Sequence, residues 1–554
     1  MTKWQILLFS MLFSVTRIIG QNCDFTVIPT SDRTTIIDAS TMPGIGPGKT
    51  VCLLAGEYYQ ILIRNINGIE GAPIVIRNTG GQVVIQNDAQ YGLTMRNCSH
   101  IKILGNGHFN TKYGISIQRV ENGNGISADR KTTDFELAWI EISNTLYAGI
   151  MAKTDPDCTF SAVRDSFLMR NIIIRDCFIH NTGMEGMYIG NVFYTGYTLN
   201  CNGRDTLVFP HLINGVNIFD NVVMNTGWDG IQVSSASNNC RIFRNYVKND
   251  SQLEEPDQMS GLLIGGGSRC DCSSNTISHG KGGGIEIFGK GNIKIFNNLI
   301  ENPGRSYRPH LPATQFPKHG IFVGHIATDP SAWFYIMNNT IVNPKTQGIR
   351  FTNPISSGNV IQNNIIINPG SFPTAGALAY IQRIPASIPA TISHNFLALD
   401  TTFAKFTDPR SSKYSLRSDS PAIDAGTNLS WAGVNFDIYG YPRPYGDGFD
   451  IGAFEHHPAF MNLPALEEQS ESLMIYPNPS KGNIYISFTL LSDSFVHLSI
   501  IDKVGRSVFS WFKPEVSAGN HKIPVNLNPL HPCLYLVKLN TVSGQRIEKL
   551  LTTK

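Results

Sequence analysis

The chain has 554 residues with Lys and Arg totalling 44 against 42 acidic residues, a net charge of +2 that offers no electrostatic footprint for nucleic acid. A charged fraction of 16% with 51 glycines excludes a disordered or all-helical polymer and fits a turn-rich β protein long enough for about three domains. Residues 1–20 read as an export leader: Lys3 is followed by the apolar stretch Ile6–Val15 and then Gly20 before Gln21. That run is too short to span a bilayer, and no later segment is long and apolar enough to do so. Ten cysteines follow the leader, an even number suited to an oxidising compartment.

Residues 21–100 form the expected N-terminal cap and first coils of a solenoid, with Cys23 and Cys52 placed to staple it. The stretch Pro47-Gly48-Lys49-Thr50-Val51, then Ala55-Gly56-Glu57-Tyr58-Tyr59 and Gly71-Ala72-Pro73-Ile74-Val75-Ile76, resembles the first coils of secreted right-handed β-helix proteins. These include polysaccharide lyases of the alginate lyase and chondroitinase B kind. The lysine and arginine segments that carry catalysis in those lyases are not found downstream, so their mechanism is not transferred.

From 101 to 411 two elements recur in step. Asn221, Asn245, Asn275, Asn298, Asn339, Asn364 and Asn395 each open a short apolar run, 23 to 41 residues apart. Between them stand Gly-Met-Tyr-Ile (186–189), Gly-Ile-Gln-Val (230–233), Gly-Leu-Leu-Ile (261–264), Gly-Ile-Glu-Ile (284–287), Gly-Ile-Phe-Val (320–323) and Gly-Ile-Arg-Phe (348–351). Self-similarity at this spacing with period-two alternation predicts a parallel β-helix, whose variable loops absorb the irregular gaps. Asparagine suits it twice over: it tolerates the left-handed conformation of a tight bend, and its side chain can hydrogen-bond from coil to coil. Cys240 and Cys270 both lie five residues before a ladder asparagine, so they should stack on neighbouring coils and pair. Cys158 and Cys201 share a post-strand loop position, whereas Cys98, Cys177 and Cys272 read equally well as small buried residues. The longer insertions fall at 152–171, 190–214, 249–260 and 302–319.

Residues 412–455, with Asp437, Asp450 and Glu455, resemble the terminal segment of bacterial surface β-helix proteins. They are expected to cover the open last coil, with the acidic residues serving turns and caps in preference to a cation. A polar linker, 456–471, precedes the final domain, 472–554. Its Tyr476-Pro477-Asn478-Pro479-Ser480-Lys481-Gly482-Asn483, the strand Leu534–Leu539 and the closing Gly544-Gln545-Arg546 resemble the C-terminal sorting domain of the type IX secretion system of Bacteroidetes. The resemblance implies a small immunoglobulin-like β-sandwich. It also implies export across the outer membrane, then release or attachment to surface lipopolysaccharide. The fold class expected is thus all-β: a right-handed parallel β-helix followed by that sandwich.

Stacked strands of a β-helix present a long groove that suits an extended polymer, and flanking loops can wall it. The outward position two residues after each repeat glycine holds Tyr188, Gln232, Leu263, Glu286, Phe322 and Arg350; the position just before the glycine holds Glu185, Asp229, Ser260, Gly283, His319 and Gln347. Glu185 and Asp229 occupy equivalent places in Asn-Thr-Gly-Met-Glu-Gly and Asn-Thr-Gly-Trp-Asp-Gly. On adjacent coils their backbones would be about 4.8 Å apart, close enough to split two carboxyls into an acid and a base, or to share a calcium ion. The candidate catalytic groups are therefore Glu185, Asp229, Glu286 and His319, and the candidate sugar contacts are Tyr188, Trp228, Gln232, Lys281 and Arg350. A plain reading stands beside this one: an acidic residue before glycine commonly binds backbone amides in a turn. His108, His180, His211 and His279 have no ligand spacing. Two functions remain open: a secreted lyase or hydrolase acting on polysaccharide, and a non-catalytic glycan-binding surface protein. A bare structural stalk does not account for the polar and aromatic face.

Overall fold

The structure is a computed structural model describing residues 23–457 except 109–110, 311–316 and 371–376, and residues 473–553 except 481, 491–493, 503–506, 527–532 and 542–543. The expected leader and most of the expected linker lie outside the described residues. By contacts the chain divides into two compact units, Met1–Lys405 with Pro421–Glu455, and Phe406–Ser420 with His456–Lys554.

The first unit is a parallel β-helix with three faces. One face stacks twelve short strands, from Thr35–Ile37 to Ile381–Arg383, and contains every Gly-Ile element. Leu168–Arg175, Leu212–Phe219, Ala236–Phe243, Cys270–Ser273 and Ile293–Phe296 build part of a second face, and Phe178–Thr182, Val222–Thr226, Tyr246–Lys248 and Thr276–Ser278 part of a third. All these pairings are parallel. Isoleucine and valine at alternate positions fill the interior: Ile189, Ile231, Ile242, Ile264, Ile285 and Ile321 are fully buried. β-branched side chains fit a pleated stack in which each strand is paired on both sides.

The asparagine ladder runs along the corner between the second and third faces. Asn245 Nδ2 donates to Asn275 Oδ1 (3.0 Å), Asn275 Nδ2 to Asn298 Oδ1 (3.0 Å) and Asn298 Nδ2 to Asn339 Oδ1 (2.9 Å). Each Oδ1 also accepts the previous asparagine's backbone N–H, and each Nδ2 also reaches a carbonyl of the coil before, as Asn298 does to Cys272. The left-handed bend itself falls one residue earlier than expected. Asp220, Arg244, Ser274, Asn297, Asn338, Asn363 and His394 carry positive φ, between 50° and 57°, and the ladder asparagines do not. The bend turns the chain, and the following asparagine, back in extended geometry, aims its amide at the buried backbone groups the bend leaves open.

Three disulfides join Cys23 to Cys52, Cys158 to Cys201 and Cys240 to Cys270. Cys98, Cys177 and Cys272 are buried thiols. The segment after residue 421 departs from expectation. Instead of lying across the last coil it runs along the solenoid's side: Lys294 Nζ donates to Ala432 O (3.0 Å), Asn297 Nδ2 to Phe436 O (2.5 Å), Asn338 Nδ2 to Asp450 O (2.9 Å) and Asn363 Nδ2 to Thr427 O (2.8 Å). Asparagines at the bend position leave outward amides that an added chain can satisfy, which is what recruits it there. Asp437 and Glu455 do serve caps and turns. Asp437 Oδ1 accepts the N–H groups of Tyr439 and Tyr441, and Glu455 pairs with Arg443 at 2.6 Å in full burial.

Residues 473–553 form a β-sandwich. A three-stranded antiparallel sheet (Leu473–Tyr476, Asn483–Leu490, Gly519–Asn526) and a four-stranded one (Ser494–Ile501, Ser507–Val516, Leu534–Thr541, Gly544–Leu551) share a core of Ile484, Ile486, Leu498, Ile500, Val537 and Leu539.

Candidate functional site

The strands carrying Tyr188 and Gln232 pair directly, so no coil is hidden between residues 186 and 230. The register continues Gln232 to Leu263, Leu263 to Glu286, Glu286 to Phe322 and Phe322 to Arg350, one row along the Gly-Ile face. The residues before the glycines form a parallel row, because Gly186 N–H donates to Asp229 O (3.0 Å) and Gly230 N–H to Ser260 O (3.0 Å).

The insertions stand at the two edges of this face. At the strand ends, 152–171 and 190–214 combine into one lobe: the hairpin Tyr197–Cys201 with Arg204–Val208 is tied by Cys158–Cys201, and Arg164 stacks on Tyr194 and Phe209. At the strand starts, Glu254 holds Lys281 (2.9 Å) and Arg308 (3.3 Å), joining 249–260 to the described part of the later insertion, 302–310. Lys281 is thus engaged in that wall, where its ammonium also donates to Gln252 O at 3.2 Å. The face between the walls is recessed and not the open surface the strand pattern alone suggests. Glu185 is 2% exposed, Asp229 and Gln232 are 0%, and His319 is 6%. Tyr188, Trp228, Glu286, Phe322 and Arg350 are half-buried.

Burial sets the electrostatics. It pushes the Glu185 carboxyl up to about 7, opposed weakly by Lys153. It drives Asp229 well above the usual carboxylate range, with the charges of Glu185 and Glu286 acting in the same direction. Desolvation of a carboxylate, reinforced by like charge, favours the neutral acid. Asp229 Oδ1 accepts from Ser260 N–H (2.7 Å) and Oγ (2.6 Å), while its Oδ2 is buried without a partner. Glu286 is also raised by burial, against Lys318, and it folds back toward this row: a Cβ on Gly283 would sit 2.7 Å from its Oε1. His319 is pushed down to about 3 by burial, Arg350 and Lys318, so it is neutral at physiological pH; its Nδ1 lies 2.8 Å from Thr346 Oγ1 and its ring stacks on Phe322. Lys153 sits 5.0 Å from the centre of the Tyr188 ring.

The floor carries polar atoms without partners. Both amide atoms of Gln232 and the Ser234 hydroxyl, fully buried, have none. Buried polar groups in native proteins are almost always satisfied by protein, water or ligand, so such a cluster marks a place for one of the latter two. Asp250 belongs to the same electrostatic neighbourhood and was not singled out from sequence. It is fully buried, raised to about 6 by burial, and its Oδ2 is unpartnered. Its signal was available: Asn249-Asp250 stacks on Asn225-Thr226 and replaces a threonine that closes the same corner in Asn181-Thr182. Among the described residues no group of three or more His, Cys, Asp or Glu is arranged to hold a metal.

Residues 199–383 match the family described as right handed beta helix region, and residues 474–553 match the secretion system C-terminal sorting domain. The chain is therefore a right-handed parallel β-helix protein with a C-terminal sorting domain. It is exported by type IX secretion to the cell surface or beyond. Among the described residues no helix is long and apolar enough to cross a membrane. No curated protein matches the chain. It is similar in structure to the GH136 lacto-N-biosidase of Eubacterium ramulus, at 15% identity and a TM-score of 0.39 over 65% of this chain and 64% of that one. It is also similar to an alginate lyase of Paenibacillus sp. str. FPU-7, at 14% and 0.30 over 68% and 98%. A third likeness is to the tailspike protein 2 of bacteriophage CBA120, at 9% and 0.32 over 91% and 72%. The chain spans under two thirds of the lacto-N-biosidase.

Proposed function

We propose that the protein is a secreted polysaccharide-cleaving enzyme whose active centre lies in the recess of the Gly-Ile face, with hydrolysis of a glycosidic bond as its reaction. One observation carries this: Glu185 and Asp229, on adjoining coils, are carboxyls held toward the neutral acid beside a buried Gln232 amide that lacks a partner. A raised carboxyl at neutral pH can protonate a leaving oxygen, and a second one nearby can act as base or nucleophile. Asp229, the more strongly raised of the two, keeps its proton and takes the acid role, while Glu185, which ionises near pH 7, serves as base or nucleophile. Tyr188 and Trp228 supply aromatic area for sugar rings, and Gln232 orients hydroxyls. His319 with Arg350 would instead serve elimination from a uronate, a neutral imidazole beside a cation.

A second reading has its own support. Asp229 Oδ1 caps Ser260 N–H as Asn124 Oδ1 caps Ala148 N–H (3.0 Å) earlier in the same row, a purely structural task. On that reading the recess binds glycan without cleaving it. Incubating the protein with a panel of neutral and uronate polysaccharides, with and without calcium, decides between them. New reducing ends without ultraviolet-absorbing unsaturated products, abolished by Glu185→Gln and by Asp229→Asn, are expected. Unsaturated products surviving both substitutions would move the chemistry to His319, and no cleavage of any polymer would leave binding alone.

A further inference from the structure

A second cavity, of about 530 Å³, opens on a different face of the solenoid, where the segment 433–440 lies beside the second face. Its floor follows from the register: Phe243 pairs with Ser273 and Ser273 with Phe296, so a serine separates two outward aromatic rings. Two strand spacings put those rings about 10 Å apart, leaving a notch one coil wide. Phe243 is fixed from behind by stacking on Phe219 (4.9 Å between centres) and by the Arg244 guanidinium over its face (4.7 Å). Arg244 is itself held by Asp220, which leaves its charge compensated. The opposite wall is Phe436 and Tyr439, 57% and 66% exposed. Large aromatics at that exposure around a concave site are unusual on a surface with no partner for them.

Asn297, 1% exposed, also lines the cavity. Its Nδ2 is spent on Phe436 O, but its Oδ1 is buried without a donor. In the coils below, the equivalent amides are linked, Asn363 Nδ2 reaching Asn338 Oδ1 at 3.4 Å. Asn338 instead gives its Nδ2 to the terminal segment, so Asn297 has no such donor. The site therefore combines two facing pairs of aromatic surfaces, serine hydroxyls on its floor and one unmet acceptor, with its cation neutralised. A pyranose ring has that chemistry in reverse: flat C–H faces to cover aromatic rings, and edge hydroxyls to donate to an amide oxygen.

We infer that the notch between Phe243, Phe296, Phe436 and Tyr439 is a glycan-binding site, separate from the Gly-Ile recess, which takes an uncharged pyranoside and holds the protein on polysaccharide. The test is affinity electrophoresis of the full chain in gels containing xyloglucan, galactomannan or mixed-linkage β-glucan, with alginate as the charged control. Retardation by at least one neutral polymer is expected, salt-independent and weakened at least tenfold in Phe436→Ala/Tyr439→Ala, two exposed positions where folding is not at stake. Ser273→Phe, which fills the notch, should do the same, with circular dichroism confirming the solenoid. Glu185→Gln should keep the retardation, so failure of the recess and failure of this site give different patterns. No retardation by any neutral polymer, retardation untouched by the aromatic pair, or retardation lost only with Glu185 would each overturn the assignment.

Discussion

Replacing Glu185 by glutamine tests the electrostatics of the recess without changing its shape. The carboxyl is 2% exposed and raised to about 7 from an ordinary 4.5, with burial the leading cause. A gap of that size corresponds to about 3 kcal/mol. Because the folded-state value lies above the unfolded one, the folded chain binds the extra proton between pH 4.5 and 7. This contribution is therefore complete below about 4.5 and is lost as pH rises through 7. Urea unfolding of wild type and Glu185→Gln at steps from pH 4 to 8 should show the difference between them changing by about 3 kcal/mol over that interval, the wild type losing ground as pH rises. If Glu185 is also the base, wild-type kcat should rise as pH passes through 7 and the carboxyl ionises, and the glutamine variant should be inactive at every pH. A stability difference that stays flat from pH 4.5 to 7.5 would show that Glu185 is solvated in solution, and its role as a base tuned to neutral pH would go with it.

Three further outcomes test the scaffold. Asn298→Ala strips Asn275 N–H, Cys272 O and Asn339 Oδ1 of a partner inside the solenoid and should lower the unfolding free energy by roughly 3–5 kcal/mol, whereas Asn395→Ala, at the half-buried last rung, should cost about 1 kcal/mol; equal costs would refute the ladder's energetic role. Arg443→Met leaves Glu455 buried without its cation and should destabilise by about 3–5 kcal/mol in urea unfolding, with Arg443→Met/Glu455→Met recovering most of the loss. Native alkylation at pH 8 followed by mass spectrometry should leave Cys98, Cys177 and Cys272 unmodified, since burial pushes all three thiols up, Cys98 to about 11, while the three disulfides appear as linked peptides; labelling of Cys272 would mean that the solenoid interior opens.

The repeat was legible because one residue type does one job in seven successive coils. Asn245, Asn275 and Asn298 each satisfy the same backbone groups, so the pattern survives loops of any length between them. The pairing of Cys240 with Cys270 was legible for the same reason, being fixed by distance from that ladder. What depends on lateral neighbours was not. The bend at Ser274 or Arg244 accepts several residue types, because the left-handed cost is small and local, so it leaves no repeated letter and the asparagine beside it attracts attention instead. The course of residues 421–455 turns on which outward amides are free, and Asn297, Asn338 and Asn363 look no different in sequence from their ladder neighbours.

The recess follows the same division. Periodicity placed Glu185, Asp229, Gln232 and Glu286 on one face, and the register shows them together. Insertions that belong to no repeat add walls that periodicity does not foretell: Leu253 packs on Gly227, and the Tyr194 ring lies against Gly267 two coils from its own. The place before the glycine is buried even where other residues fill it, as at Asn124, Ala148 and Gln347, so a carboxyl set there is driven toward its neutral form. The electrostatics of Glu185 and Asp229 thus reside in the stacked coils, and shortening 249–260 should leave Glu185 raised, read as an unchanged pH dependence of the stability difference between wild type and Glu185→Gln, while the β-helix stays intact.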